Sequence, residues 1–148
     1  MATRMTDHLY VGDRHDAMMA SSQLRSSMFK SVVVVAEEVN VTAGINCNKV
    51  GLSTGKNSVP LLLAALYVSE ASCPPTLVAC SEGVGRSVAV ATALLCMRQG
   101  MPWDQGIAHA RSLHPALEVN DHLRTGYSQI LRRLRVSVFG KFENFTKD

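Results

Sequence analysis

Short apolar, β-branched runs alternate with longer helical patterns along this chain, and that alternation predicts an α/β fold. The expected architecture is a central, mostly parallel sheet flanked by helices. The composition fits a globular domain, because 47% of the residues are hydrophobic and only 18% are charged. The length of 148 residues suits one core. We therefore expect residues 1–148 to form a single domain, with a tail that frays from about residue 137.

The first half of the chain carries three strand patterns, at residues 8–11, 32–36 and 45–50. The middle one is an almost pure valine run, which is typical of a strand buried on both faces. Helical patterns cover residues 13–19, 21–29 and 60–71. Pro60 stands in the first turn of the third helix, and Pro74-Pro75 prevents its continuation.

The second half begins with a strand at residues 76–79 and continues with a nearly all-apolar helix at residues 88–98. A helix without a polar face is expected at the centre of the fold. Gly100 ends this helix, and a further helix is predicted at residues 102–113. Asn120 or Asp121 is expected to cap a last helix that runs to about residue 136.

Between that strand and the apolar helix lies the most informative segment, Cys80-Ser81-Glu82-Gly83-Val84-Gly85-Arg86-Ser87. A strand, a tight glycine-bearing loop and a helix in this order make an anion site, because loop N–H groups can turn inward beside the positive helix N-terminus. Arg86 can hold two oxygens of a phosphate in a bidentate fork. Helix dipole and arginine both favour the thiolate of Cys80. The predicted phosphate-binding loop consists of Ser81, Glu82, Gly83, Val84, Gly85 and Arg86.

This C-x5-R loop predicts phosphoryl transfer to sulfur. Cys80 would attack phosphorus and become a phosphocysteine. Arg86 and the loop N–H groups would bind the equatorial oxygens of the phosphoryl group. Ser87 would hydrogen-bond the sulfur and make it a better leaving group in the second step. The predicted catalytic residues are therefore Cys80, Arg86 and Ser87.

At these residues the chain resembles the cysteine-dependent protein tyrosine phosphatases, and in size the compact, atypical dual-specificity phosphatases. Weaker similarities lie at residues 8–12, 32–39, 100–115 and 120–131. The resemblance implies the protein tyrosine phosphatase-like fold and a hydrolase that works without metal or cofactor. It also implies a phosphorylated protein or peptide as substrate, with phosphotyrosine favoured over phosphoserine and phosphothreonine.

The chain departs from the family pattern at two places. Ala79 stands where the family usually has a histidine that helps to ionise the cysteine. Residues 52–58, where the family's aspartate general acid should fall, hold no carboxylate. Proton donation to a leaving group is worth about 10²–10⁴-fold, so we expect low activity and a preference for phenolate leaving groups. The candidate substitute acids are Glu37, Glu38, Glu70 and Glu82.

Two other functions stay open at this point. The missing histidine and the missing acid also fit a pseudophosphatase that binds phosphorylated partners without turning them over. Phosphoinositides or RNA 5′ ends are further substrates to consider, although Glu82 makes the loop less basic than such sites usually are. A separate hypothesis concerns oxidation, in which Cys47 would form a disulfide with an oxidised Cys80.

Charge and cysteine usage exclude several other classes. The net charge of +3 is too small to argue for nucleic-acid binding, and no apolar stretch is long enough to cross a bilayer. The 4 cysteines and 5 histidines lack metal-site spacing. Because residues 1–7 do not look like a signal peptide, we expect a cytoplasmic protein with reduced thiols. The oligomeric state is not indicated.

Overall fold

Strands and helices alternate along the chain in the computed structural model. It describes residues 2–23, 26–42, 44 and 46–147, with side chains described as far as residue 134. The strands are β1 (Thr3–Arg4), β2 (Leu9–Gly12), β3 (Ser31–Val34), β4 (Cys47–Lys49) and β5 (Thr76–Ala79). The helices are α1 (Arg14–Ser22), α2 (Val59–Ala71), α3 (Arg86–Gln99), α4 (Trp103–Leu113) and α5 (Asp121–Lys147).

The strands form one sheet in the order β1-β2-β5-β3-β4. Only the β1–β2 pair is antiparallel among the pairings of the described strands, so the predicted mostly parallel sheet is confirmed. β5 lies in the middle, and Ala79 at its end is level with Gly12 of β2 and Val34 of β3. The carboxyl ends of parallel strands in such open sheets are where ligands bind.

Helix α3 is the central helix, as its apolar sequence predicts. It packs on β2 and β5 and contacts α2, α4 and α5, and every residue from Arg86 to Cys96 is buried. Tyr127 of α5 donates a hydrogen bond of 2.9 Å to the carbonyl of Leu62 in α2, and burial raises its pKa. This hydrogen bond links α2 to α5, and both helices pack against α3.

Several predicted boundaries are wrong. The helix predicted at residues 21–29 does not form, because α1 ends at Ser22 and residues 26–29 make a turn and bends. Serine side chains compete for the backbone there, since the Ser21 and Ser22 hydroxyls donate to the carbonyls of Met18 and Met19. Residues 24 and 25 of that prediction, and residue 45 of the predicted strand, lie outside the described residues.

At the other end of the chain, α5 continues to Lys147 instead of ending near residue 136. No proline interrupts residues 121–147, and Gly126 and Gly140 lower helix propensity without forcing an end. No helix in the described part of the chain is both long and apolar enough to cross a membrane.

Candidate functional site

The segment that joins β5 to α3 lies at the carboxyl edge of the sheet. Cys80 directly follows β5, and its N–H donates 3.1 Å to the carbonyl of Gly12 at the end of β2. Gly83 has a φ of +76°, and a Cβ there would lie 2.8 Å from the Gly12 carbonyl carbon. The loop thus packs so closely on β2 that this position requires glycine.

Outward hydrogen bonds hold the carbonyls of the loop. The N–H of Arg14 donates 3.1 Å to the carbonyl of Ser81, and the N–H of Glu118 donates 2.6 Å to that of Val84. The His114 ring nitrogen Nε2 lies 2.9 Å from the carbonyl of Gly83. No described residue accepts a hydrogen bond from the N–H groups of residues 81–85. These N–H groups are available to an anion, as the sequence predicts for a phosphate loop.

Cys80, Ser87 and Arg86 are brought together under this loop. Cys80 is buried, with 2% of its surface exposed, and its Sγ lies 3.1 Å from the Ser87 Oγ. Arg86 is the first residue of α3 and is 6% exposed. The contact between sulfur and the Ser87 hydroxyl is the one expected from the sequence.

Glu38 binds the Arg86 guanidinium from the turn that follows β3. Arg86 Nη1 and Nη2 donate to the two carboxylate oxygens over 2.5 Å and 2.7 Å, and Nη1 also donates to the Leu52 carbonyl over 2.8 Å. Burial acts to lower the pKa of Arg86, but hydrogen bonds to Glu38 and the nearby negative charges outweigh it, so the pKa is raised. The hydrogen bonds from Arg86 lower the pKa of Glu38 despite its partial desolvation.

The Arg86 guanidinium still has N–H donors for a ligand. A guanidinium has five N–H groups, and the contacts to Glu38 and Leu52 use three of them. The Nε–H and one Nη2–H have no acceptor among the described residues, and they lie on the same side of the planar group. Such a pair matches two oxygens of a phosphate. Glu38 therefore orients the arginine without occupying this second fork.

A pocket of about 270 Å³ opens above Cys80 and Arg86. Besides loop residues, its lining comes from segments distant in sequence: Glu38, Thr54, Glu118, Asn120 and Leu123. Glu118 is not among the site residues predicted from the sequence, and Asn120 was predicted only as a helix cap. Asn120 does cap α5, because its Oδ1 accepts the N–H of Leu123 over 2.9 Å. Its Nδ2 also donates 2.6 Å to the Thr54 carbonyl, which ties the turn at residues 53–57 to the pocket.

The four substitute acids predicted from the sequence have different surroundings. Glu70 pairs with Arg98 at 2.8 Å, and neither Glu70 nor Glu37 lines the pocket. Glu38 lines it, but its lowered pKa keeps it ionised and unsuited to donate a proton at neutral pH. Glu82 lines it as well and is exposed to solvent.

The strand register contradicts a disulfide between Cys47 and Cys80. Cys47 in β4 is level with Val32 in β3, which is level with Leu77 in β5, so Cys80 lies three residues further along the sheet. Two strand spacings across and three residues along separate the two Cα atoms by roughly 14 Å. A disulfide requires about 4.4–6.8 Å between Cα atoms. Burial also raises the pKa of Cys47, which makes it a poor resolving thiol.

Comparison with known proteins identifies the fold. No family model matches the chain, and no curated protein matches it in sequence. A crystal structure of a candidate dual specificity phosphatase from mouse, complexed with zinc tungstate, matches with a TM-score of 0.74 and 20% identity over 93% of this chain and 90% of that chain. Human DUSP28 matches with a TM-score of 0.71 and 21% identity, over 88% of this chain and 95% of that chain.

A third solved structure is the human tyrosine phosphatase-like serine/threonine/tyrosine-interacting protein. It has a TM-score of 0.70 and 12% identity, and the match covers 87% of this chain and 94% of that chain. The chain therefore has the dual-specificity phosphatase fold, and the fold predicted from the loop is confirmed.

Proposed function

We propose that this chain is a compact dual-specificity-type protein phosphatase that hydrolyses phosphate monoesters through phospho-Cys80. The observation that carries the proposal is the convergence of three groups on one pocket. These are the sulfur of Cys80, the second fork of Arg86, and the N–H groups of residues 81–85 that no described residue accepts from. Together these groups can hold a tetrahedral phosphate dianion in contact with a nucleophile.

The first step forms a bond between the sulfur and phosphorus while the bond from phosphorus to the ester oxygen breaks. The Arg86 fork and the loop N–H groups bind the equatorial oxygens of the phosphoryl group, where charge redistributes in the transition state. In the second step a water oxygen attacks phosphorus, and the electron pair of the S–P bond returns to Cys80. Ser87, at 3.1 Å from the sulfur, stabilises that returning charge with a hydrogen bond.

Phosphotyrosine in a protein or peptide is the favoured substrate. The turn at residues 53–57 borders the pocket at Thr54 and holds no carboxylate. Phenolate leaves without a proton more easily than the alkoxides of serine and threonine do. Hydrolysis of phosphoserine or phosphothreonine therefore requires a proton donor from another part of the pocket.

A pseudophosphatase that binds phosphorylated partners is the second candidate function. It is favoured by Ala79, fully buried in place of the usual histidine, and by the turn without a carboxylate. A fold neighbour described as phosphatase-like and interacting is consistent with it. Cys80 and the oriented fork of Arg86 support the enzyme instead, since binding alone does not need a nucleophile. Glu82 and Glu118 at the pocket disfavour polyanions such as phosphoinositides or RNA 5′ ends.

Turnover of p-nitrophenyl phosphate by the wild type, Cys80→Ser and Cys73→Ser separates the two functions. Cys73 is an exposed cysteine outside the pocket and serves as the matched control. The enzyme requires activity in the wild type and Cys73→Ser that is lost in Cys80→Ser. If all three proteins are inactive while the wild type binds phosphotyrosine peptides, the binding module replaces the enzyme. The assay needs a reducing buffer that keeps the Cys80 thiol reduced. We propose the cytoplasm as the compartment of this protein, and thiols stay reduced there.

A further inference from the structure

The segment between α4 and α5 passes directly over the phosphate loop. The N–H of Glu118 donates 2.6 Å to the Val84 carbonyl. A Cβ at Gly85 would lie 3.2 Å from the Glu118 carbonyl oxygen, so the two backbones are in close contact. His114 at the start of this segment reaches the Gly83 carbonyl over 2.9 Å. The main chain of Glu118 is therefore fixed relative to the loop that would hold the phosphate.

Glu118 is one of the residues that line the pocket. Its neighbour Leu117 is buried, whereas Glu118 is exposed and lines the same pocket as Cys80 and Arg86. Two residues further on, Asn120 donates 2.6 Å to the Thr54 carbonyl. The segment thus lies between the phosphate loop and the turn at residues 53–57, which is the turn expected to carry the proton donor.

Three carboxylates line the pocket, and two of them are poorly suited to protonate a leaving group. Glu38 is bound to Arg86 through both of its oxygens. Glu82 belongs to the loop itself, and side chains of a loop whose N–H groups point inward extend away from the bound anion. Glu118 comes from a separate segment, and its carboxylate has no ion-pair partner among the described residues.

We propose that Glu118 is the general acid of this site, which deepens the phosphatase proposal and rests on it. As the S–P bond forms and the P–O bond to the leaving group breaks, the electron pair goes to the leaving oxygen, which takes the proton of Glu118. In the second step the Glu118 carboxylate accepts a proton from the attacking water, and the electron pair of the S–P bond returns to Cys80. Proton and charge balance over the two steps, and the enzyme is regenerated.

The dependence of kcat/KM on the leaving group tests this assignment, because kcat/KM reports the step in which the ester bond breaks. The substrates are p-nitrophenyl phosphate, phenyl phosphate and a phosphoserine peptide, in order of rising need for a proton. Glu118→Gln should lower kcat/KM for the two poorer leaving groups by about 10²–10⁴-fold and for p-nitrophenyl phosphate far less. Glu37→Gln, which makes the same change on a glutamate outside the pocket, should leave all three values near those of the wild type.

Every other result of these kinetic experiments would overturn one of the two proposals. A uniform loss over all three substrates, no loss, or a leaving-group-dependent loss in Glu82→Gln but not in Glu118→Gln would overturn the assignment of Glu118 alone. Absence of Cys80-dependent turnover of p-nitrophenyl phosphate by the wild type would overturn the phosphatase proposal, and Glu118 as its acid with it. Circular dichroism of Glu118→Gln verifies that the exposed substitution leaves the fold intact.

Discussion

Glu38 and Arg86 form a bidentate ion pair, with hydrogen bonds of 2.5 Å and 2.7 Å between the two carboxylate oxygens and the two Nη atoms. The arginine side chain is 6% exposed, whereas the glutamate side chain is 42% exposed. The pair therefore fixes a buried cation from its solvent side. The free fork of Arg86 is aimed by this contact and by the Leu52 carbonyl at 2.8 Å.

Replacing Glu38 by glutamine should lower kcat/KM for an aryl phosphate by roughly tenfold, because the guanidinium loses a fixed orientation toward the transition state. Binding of inorganic phosphate should change less, since the lost orientation is opposed by the removal of a negative charge beside the pocket. Steady-state kinetics measure the first quantity and isothermal titration calorimetry the second. Glu37→Gln is the control for the charge, and an undiminished kcat/KM in Glu38→Gln would contradict the positioning role.

The same pair should make the stability of the protein depend on pH in acid. Because the hydrogen bonds from Arg86 hold the pKa of Glu38 below its ordinary value of 4.5, the folded state binds fewer protons than the unfolded state. The stabilisation is fully present above that ordinary value and is lost as pH falls through the lowered pKa. Urea unfolding should show wild type more stable than Glu38→Gln by at most about 1 kcal/mol at neutral pH, given the solvent exposure of Glu38. The difference should shrink as the pH is lowered below 4.5, and a difference that stays constant into strong acid would refute the linkage.

Gly83→Ala should destabilise the loop through both conformation and contact. Its φ of +76° costs a residue with a Cβ about 1–2 kcal/mol, and that Cβ would lie 2.8 Å from the backbone of Gly12. We expect a lower melting temperature and a larger fractional loss of turnover, because the phosphate-binding N–H groups must move. Gly44→Ala is the matched control, since no atom lies within 4 Å of a Cβ at that position. Equal melting temperatures for the two variants would argue against the constraint.

Ser87→Ala tests the contact of 3.1 Å between Oγ and the sulfur of Cys80. Without the hydroxyl, the sulfur is a poorer leaving group in the second step, so kcat should fall by about tenfold while kcat/KM for p-nitrophenyl phosphate falls less. Rapid-quench kinetics should then show a burst of p-nitrophenol release. The control is Ser69→Ala, which removes another buried hydroxyl, in α2 and outside the pocket. It should produce no burst. A proportional fall of kcat and kcat/KM would assign Ser87 a different role.

The sequence contains enough local information for the loop and for the elements that carry it. The strand over Thr76–Ala79, the glycine-bearing loop and the buried helix α3 were all predicted, because each depends on neighbouring residues. The helix expected at residues 21–29 failed because serine hydroxyls can bind nearby carbonyls as well as cap a helix.

The pocket walls could not be predicted in the same way. Glu38 meets Arg86 across 48 residues of sequence, and Asn120 meets the Thr54 carbonyl across 66 residues. Glu118 lines the pocket where its backbone pairs with Val84, 34 residues away in sequence. Such contacts depend on how helices dock on the sheet, and no periodicity or motif in a single sequence encodes them.

Trapping the covalent intermediate would show whether the sulfur of Cys80 is the nucleophile. Wild type mixed with p-nitrophenyl phosphate and quenched in acid within milliseconds should give a phosphorylated peptide whose modification maps to Cys80 by mass spectrometry. Ser87→Ala should increase its yield, and Cys80→Ser should abolish it. Turnover that continues in Cys80→Ser, or phosphate found on another residue of the wild type during turnover, would contradict Cys80 as the nucleophile.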